Sequence, residues 1–445
     1  MRFLLITAFL IHLAISGLVT PEQIHISWTE NPNEMRVTWT SFVPLDSWVI
    51  YRPILCNDPQ HNSFDFTQVQ GNYTKFNEGT VTVRYAFIYT SIIKNLLPDC
   101  HYEYYIQNDA SFSKSYIFNG RTPESVNSYR DVDNKLNMII FGDWGTGPIG
   151  ELTSALLGID SKVKEFTGIL HLGDIGYNLN SDDGLIGDMY GNQVQDITAS
   201  IPYMTLPGNH EDADNMTHYK IRFKMPYNEY NQGTGLFYSF NIGPVHFVTL
   251  NTEVYYREAK SDLQAEIQLE WLKQDLETAN LHRKKRPWII VTSHHPLYCS
   301  YDFTELDGTE RNKCCGHEAQ FLRDKLEDIF YYNAVDIFFG AHLHAYERMT
   351  AIYKNITVQS EYDDYNTHKN PKATIHILDG NAGNHYAHNA DITKTPQLWS
   401  QYRTNDYGYG RMTFHNKTHL LFEQVSDYTM SVIDSLWVIK TIERF

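Results

Sequence analysis

Between residues 21 and 122, apolar and polar positions alternate in short runs. Ile24-His25-Ile26-Ser27-Trp28, Met35-Arg36-Val37-Thr38-Trp39-Thr40, Val81-Thr82-Val83-Arg84-Tyr85-Ala86-Phe87 and Tyr102-Glu103-Tyr104-Tyr105-Ile106 each read as a half-buried strand. Asn, Pro, Gly and Asp turns part them, which predicts a β-sandwich over residues 21–122. The next stretch, 123–134, is polar and without period, and reads as a linker. From residue 135 the rhythm changes to apolar runs separated by helical stretches. Met138–Phe141, Ile169–Leu172, Met204–Leu206, Trp288–Val291, Val335–Phe339 and Ala373–Leu378 predict buried strands. Ile149–Phe166 and Asp262–Leu281 predict helices, the second with Leu263, Ile267, Trp271 and Leu276 on its apolar face. The chain is therefore expected to be all-β followed by α/β. A domain over 135–395 is built from βαβ units, and residues 396–445 form a C-terminal segment packing on it.

Composition narrows the function classes. Hydrophobic residues at 42% and charged residues at 20% describe a globular chain. The net charge of −17 argues against a general nucleic-acid binder. It also means that any site for a phosphate-type anion must supply its own positive charge. Met1-Arg2 followed by an apolar run to Ile15, with Ala14 and Ser16 at −3 and −1, reads as a secretory signal peptide over residues 1–16. No later run is long enough to span a bilayer, so a secreted chain without membrane association is expected, with lysosomal residence the alternative. Export permits disulfides. Cys56–Cys100 is expected, with Cys299 bonded to Cys314 or Cys315 and one thiol left over. Sequons stand at Asn72, Asn215, Asn355 and Asn416.

The candidate chemistry lies at strand ends. Phe141 leads into Gly142-Asp143, His171-Leu172 into Gly173-Asp174-Ile175-Gly176-Tyr177, and Leu206-Pro207 into Gly208-Asn209-His210-Glu211. Val291-Thr292-Ser293 leads into His294-His295, and Phe339-Gly340-Ala341 into His342-Leu343-His344. In α/β sheets the carboxyl ends of strands are where ligands bind. Asp143, Asp174, Tyr177, Asn209, His294, His342 and His344 make seven oxygen and nitrogen donors, too many for one tetrahedral zinc. They suit two adjacent metals sharing a bridging carboxylate. A Tyr phenolate among them favours ferric iron.

The series Gly-Asp, Gly-Asp-X-X-Tyr, Gly-Asn-His-Glu, Val-X-X-His and His-X-His-Ala-Tyr-Glu-Arg resembles the purple acid phosphatases, which belong to the calcineurin-like metallophosphoesterases. The resemblance covers nearly the whole chain. Its N-terminal part resembles the family's fibronectin-III-like domain, and Gly408-Tyr409-Gly410-Arg411-Met412 its C-terminal segment. Most of the superfamily carries Asp-X-His in the first block. Here Asp143-Trp144-Gly145 lacks that His and Tyr177 supplies a donor instead, an exchange found in purple acid phosphatases. One departure is Ala341 before His342, where the family has Gly.

The resemblance implies an αββα metallophosphoesterase domain and a secreted acid phosphatase acting on phosphate monoesters. It implies Fe3+ bound by Asp143, Asp174, Tyr177 and His344. A second divalent metal, Zn2+, Fe2+ or Mn2+, would be bound by Asp174, Asn209, His294 and His342, with metal-bound hydroxide as nucleophile. His210 matches the family's phosphate-contacting residue. His295 and His317 are further catalytic candidates, and Glu211, Asp379 and Asn381 candidates to support the ligands. Substrate choice is expected in the loops Asn178–Ile201 and Tyr301–Lys313. A homodimer is a family-level expectation. The competing readings are a phosphodiesterase or nucleotidase of the same superfamily, against which Tyr177 and Gly145 speak, and a non-catalytic secreted binding protein, which would have lost ligands.

Overall fold

A computed structural model describes residues 17–56, 58–79, 81–98, 100–120, 135–228, 235–256, 260–303, 313–384, 390–393 and 395–441. The predicted signal peptide, the linker 123–134, most of the Tyr301–Lys313 loop and the Cys314 side chain lie outside the described residues.

The alternating runs near the N-terminus build two antiparallel four-stranded sheets. One has the order Glu22–Trp28, Met35–Ser41, Tyr85–Ile93, Asn72–Asn77. The other has the order Thr67–Gln70, Ser47–Cys56, Cys100–Asn108, Tyr116–Asn119. Trp39, Val49, Tyr104 and Ile106 are fully buried. The Cys56–Cys100 disulfide joins two paired strands. The run Val81–Phe87 differs from its expected strand. Pairing begins only at Tyr85 and continues to Ile93, and Val81 and Val83 are exposed. The backbone N–H groups of Val81 and Thr82 are instead committed to Asp183, a residue of the following domain.

The following domain is a pair of eight-stranded sheets. The first has Tyr203–Thr205, Gly168–His171 and Leu136–Phe141 parallel to one another, then Gly408–Phe414, His419–Ser426 and Ser431–Ile439. The second has Val245–Thr249, Trp288–Thr292, Ile337–Gly340 and Thr374–Asp379 in parallel, with Tyr346–Tyr353 beyond. The helices Pro148–Val163 and Leu185–Thr198 cross over between parallel strands of the first sheet, and Asp262–Leu281 and Ala319–Tyr332 between those of the second. The three C-terminal strands do not merely pack on the domain. Gly408–Phe414 pairs directly with the central Leu136–Phe141 strand and so completes the first sheet. Likewise, most of the expected loop Asn178–Ile201 is the helix Leu185–Thr198.

Helix Asp262–Leu281 shows how local signals and packing divide the work. Ser261 caps it, accepting from Gln264 N–H at 3.3 Å. The buried stripe runs Ala265, Gln268, Trp271, Leu272, Asp275, Leu276, Ala279, one face at three-and-four spacing that includes the expected Trp271 and Leu276. Leu263 falls off that stripe and is exposed, although the sequence pattern placed it inside.

Trp28 joins the two domains. It leaves the N-terminal sheet fully buried, its ring centroid 5.2 Å from that of Phe240. A Cβ on Gly168 would stand 2.6 Å from it, so only glycine admits the indole there. Trp28→Ala should lower stability by about 3–5 kcal/mol through the cavity it leaves, seen as a lowered denaturant midpoint. Phe64→Ala, at a 93% exposed position, should stay within about 0.5 kcal/mol in the same measurement.

Candidate metal centre

Five loops meet where the carboxyl ends of parallel strands from both sheets face each other. The first sheet delivers Asp143 after Leu136–Phe141, Asp174 and Tyr177 after Gly168–His171, and Asn209 and His210 after Tyr203–Thr205. The second delivers His294 after Trp288–Thr292, and His342 and His344 after Ile337–Gly340. Backbone bonds continue the ladders past the strand ends. Gly142 N–H donates to Asp379 C=O at 2.7 Å, Asp143 N–H to Gly173 C=O at 3.0 Å and Ala341 N–H to His294 C=O at 2.7 Å.

The turns are tight. Asp143, Asp174, Tyr177 and His342 have φ of 62°, 55°, 59° and 73°, the left-handed region. Each such residue costs about 1–3 kcal/mol unless its surroundings over-determine it, which is typical of functional sites. The surroundings do so here. The Glu211 carboxylate is buried beneath the second loop and accepts from Asp174 N–H at 2.9 Å, Ile175 N–H at 2.9 Å and Gly208 N–H at 2.8 Å. Asp143 Oδ2 accepts from His342 N–H at 2.8 Å, and Asp174 Oδ1 from His210 N–H at 3.0 Å. The Ala341 methyl group packs so close that a Cβ on Gly142 would lie 2.4 Å from it. The departure from the family motif at 341 is thus accommodated by glycine at 142.

The seven predicted donors converge in two groups. In one, Tyr177 OH lies 2.9 Å from Asp143 Oδ1 and 2.9 Å from His344 Nε2, and His344 Nε2 lies 3.3 Å from Asp143 Oδ1. In the other, His294 Nε2 lies 3.2 Å from Asn209 Oδ1, 3.2 Å from Asp174 Oδ1 and 3.2 Å from His342 Nδ1. Asp174 belongs to both: ligand atoms of Asp143, Asp174 and His344, and of Asp174, His294 and His342, each lie within 4.8 Å of one another. His294 Nδ1–H donates to Leu172 C=O at 2.8 Å, which fixes the tautomer and turns Nε2 to the centre.

The electrostatics call for a cation. Asp143 and Asp174 are both buried, and buried carboxylates must be compensated. Burial alone would raise Asp174, but the His294 and His210 imidazoles hold it well below the usual carboxylate range. Burial lowers His294, yet the Asp174 carboxylate overrides it and raises the imidazole to about 10. Burial, with His295 and His294 beside it, keeps His342 neutral. Burial and the Asp143 and Asp174 charges push the Tyr177 phenol well above its ordinary value. A lone pair of His342, a carbonyl oxygen of Asn209 and a carboxylate aimed at one point are a donor set for a hard or borderline divalent ion.

His210 stands at the rim, with a quarter of its side chain exposed. Its Nδ1–H donates to Asn178 Oδ1 at 2.8 Å, and its Nε2 is 3.9 Å from Asp174 Oδ2. The other two catalytic candidates are placed differently. His295 is 3% exposed, with its ring centroid 4.1 Å from that of His342 and Nε2 3.2 Å from Glu253 Oε1. It backs a donor and does not face the rim. His317 is exposed on the turn Lys313–Glu318, and no hydrogen bond or ion pair links it to the cluster among the described residues. Asp379 is buried beside Asp143, and burial raises it well above the usual range. Asn381 donates to Asp406 C=O at 2.5 Å. Asn178 and Glu253 had no sequence signal of their own, although Asn178 directly follows Tyr177.

Comparison with known proteins agrees with this layout. Residues 21–122 match the purple acid phosphatase N-terminal domain, 136–346 the calcineurin-like phosphoesterase domain, and 373–435 the iron/zinc purple acid phosphatase-like protein C domain. The chain is 34% identical to acid phosphatase type 7 of Mus musculus, over 95% of this chain and 92% of that one. It is 36% identical to acid phosphatase type 7 of Danio rerio, over 94% and 91%. Purple acid phosphatase 18 of Arabidopsis thaliana is 28% identical over 90% of this chain and 80% of its own. The fold matches a purple acid phosphatase from yellow lupin (Lupinus luteus) seeds with a TM-score of 0.77 at 22% identity, over 95% of this chain and 75% of that one. On its three matched domains and its full-length likeness to acid phosphatase type 7, this chain belongs to the purple acid phosphatase family and is a phosphatase.

Proposed function

We propose that this phosphatase is a secreted acid enzyme that hydrolyses phosphate monoesters at a binuclear centre. Asp143, Asp174, Tyr177 and His344 would hold Fe3+, and Asp174, Asn209, His294 and His342 a divalent ion. The observation that carries this reading is the pair of donor groups sharing Asp174, with a buried Tyr phenol in one of them. Ionising that phenol against burial and two carboxylates requires a neighbouring ion of high charge, which favours ferric iron over a second divalent ion. When bound, the metal pair supplies the positive charge that activates water at mildly acidic pH and neutralises the phosphate.

The remaining work falls to the chain. Asn178 holds the His210 ring through Nδ1, so that Nε2 is turned toward the centre. As an imidazolium it would donate there to a phosphate oxygen or to the departing alcohol. Glu211 fixes the Asp174 loop from beneath, and His295 keeps the His342 ring in place from behind. Secretion is supported by the apolar leader sequence and by the Cys56–Cys100 and Cys299–Cys315 disulfides. All four sequon asparagines, Asn72, Asn215, Asn355 and Asn416, are exposed and open to glycosylation.

The purified protein should contain two metal ions per chain, one of them iron, by elemental analysis. It should show a visible charge-transfer band that Tyr177→Phe removes. A colourless protein with two divalent ions would instead favour the phosphodiesterase or nucleotidase reading. Asp174→Asn should lose both ions together, because both groups use that carboxylate. His210→Ala should keep its metals and lose on the order of 10²-fold in kcat on p-nitrophenyl phosphate, the scale of a lost proton donor.

A further inference from the structure

The segment 177–184, which carries donor Tyr177 and the His210 partner Asn178, is held open in an unfavourable backbone. Tyr177, Asn178, Asp182, Asp183 and Gly184 all have φ between 51° and 84°. Turns within the run tie it locally, Ser181 N–H to Asn178 C=O at 2.8 Å and Gly184 N–H to Ser181 C=O at 3.1 Å, and contacts from outside fix its two ends. At the near end the anchor is Glu211, which accepts from the N–H groups of Asp174 and Ile175. At the far end the anchor comes from the other domain.

Asp183 Oδ1 accepts from Val81 N–H at 2.8 Å. Asp183 Oδ2 accepts from Thr82 N–H at 3.1 Å and from the Thr82 hydroxyl at 2.5 Å. These three donors sit at the tip of the hairpin between Asn72–Asn77 and Tyr85–Ile93 in the N-terminal sheet. Its base is locked as well. Arg84 donates to Asp183 C=O at 3.3 Å and pairs with both Glu78 and Asp188. Arg222 donates to Gly184 C=O at 3.2 Å and to Asp188 Oδ1 at 3.1 Å, and also pairs with buried Glu78. A Cβ on Gly184 would stand 2.6 Å from Glu78 Cβ, so the two domains touch backbone to side chain there. One carboxylate accepting three donors from a neighbouring domain is a clamp, and it acts on a loop whose other end aims a rim histidine.

We infer that the N-terminal domain's hairpin is a positioning element of the active site. Thr82 and Val81, through Asp183, fix the 177–184 loop and with it the Asn178–His210 hydrogen bond. The inference rests on the role given to His210 above. The clamp itself touches neither substrate nor metal. Its loss leaves every donor in the chain but lets Asn178 relax out of its left-handed conformation and releases the His210 ring.

The test is a double-mutant cycle on the full-length, metal-loaded protein with p-nitrophenyl phosphate, using Asp183→Ala and His210→Ala singly and together. Hydrogen–deuterium exchange over residues 177–184 serves as a readout independent of turnover. Asp183→Ala is expected to lower kcat about tenfold with KM little changed, the scale of a lost supporting contact. Its metal content should match that of the unaltered protein, and exchange in the loop should quicken. The double variant should be no slower than His210→Ala alone, since both changes remove one function. Thr82→Val keeps the hairpin's shape and two of the three bonds, and Asp183→Asn keeps an acceptor, so each should fall between the unaltered protein and Asp183→Ala. Losses that multiply in the double variant, or an unchanged kcat in Asp183→Ala beside a slow His210→Ala, would overturn the inference. An inert His210→Ala would remove the role of His210 and the inference with it, and is told apart by that single variant alone.

Discussion

Everything in the centre depends on one carboxylate, Asp174, buried between two groups of donors and shared by both. A buried ionised carboxyl is costly unless it is compensated, and the protein compensates this one from two directions only. His294 lies within ion-pair distance and the His210 main-chain N–H donates to it, while a second carboxylate, Asp143, stands across the cleft. Two carboxylates and a phenol gathered this closely repel one another in the absence of positive charge. The fold therefore concentrates a demand for positive charge at this cluster, within a chain whose net charge is −17. His342 is kept neutral by burial and the imidazoles beside it, and the hydrogen bond from His294 Nδ1 to Leu172 C=O turns the other ring nitrogen, Nε2, to the centre.

Holding such a site open is a backbone problem. The donors come directly after strands that end abruptly, and four of the seven occupy left-handed conformations. Parallel strands from two sheets supply rigid stems, and the loops between them are tied crosswise by main-chain bonds such as Gly142 to Asp379 and Ala341 to His294. Glu211 is the keystone of the first sheet's side. It touches none of the donor atoms of the second sheet, yet three N–H groups, on the Asp174 and Asn209 loops, converge on its carboxylate. Residues of this kind carry the precision of the site without taking part in its chemistry.

The N-terminal domain is bound into the same mechanical scheme. Trp28 anchors it by apolar burial under the first sheet, and Glu78, Arg84, Asp188 and Arg222 anchor it by a buried ionic network. Burying charges gives little net stability, but it sets a unique register between the surfaces that share them. The register matters because the hairpin tip lies on the loop that continues from Tyr177.

The sequence by itself determined that a β-sandwich precedes an α/β domain, and which strand precedes each of the seven candidate donors, because these are local properties. Apolar runs must be buried, and a Gly-Asp or Gly-Asn step must end them. It also determined helix Asp262–Leu281, through its apolar period. Beyond the Cys56–Cys100 pairing and the gathering of the five motif blocks, what it left undecided was how residues far apart in the chain pair and orient. That Gly408–Phe414 would pair beside Leu136–Phe141 is visible in neither run, since strand pairing is chosen by the sheet and not by either segment's own pattern. That His295 would turn its ring against His342 and pair with Glu253, while His210, one residue past a donor in the same way, would turn to the rim, depends on which loop packs behind each. That Val81 and Thr82 would bond to Asp183 of the other domain and not pair as a strand was hidden because the run Val81–Phe87 has the strand alternation, and only contact with Asp183 overrides it. Local pattern is written in neighbours along the chain. Pairing, orientation and clamping are fixed by neighbours in space, which only the packed structure supplies.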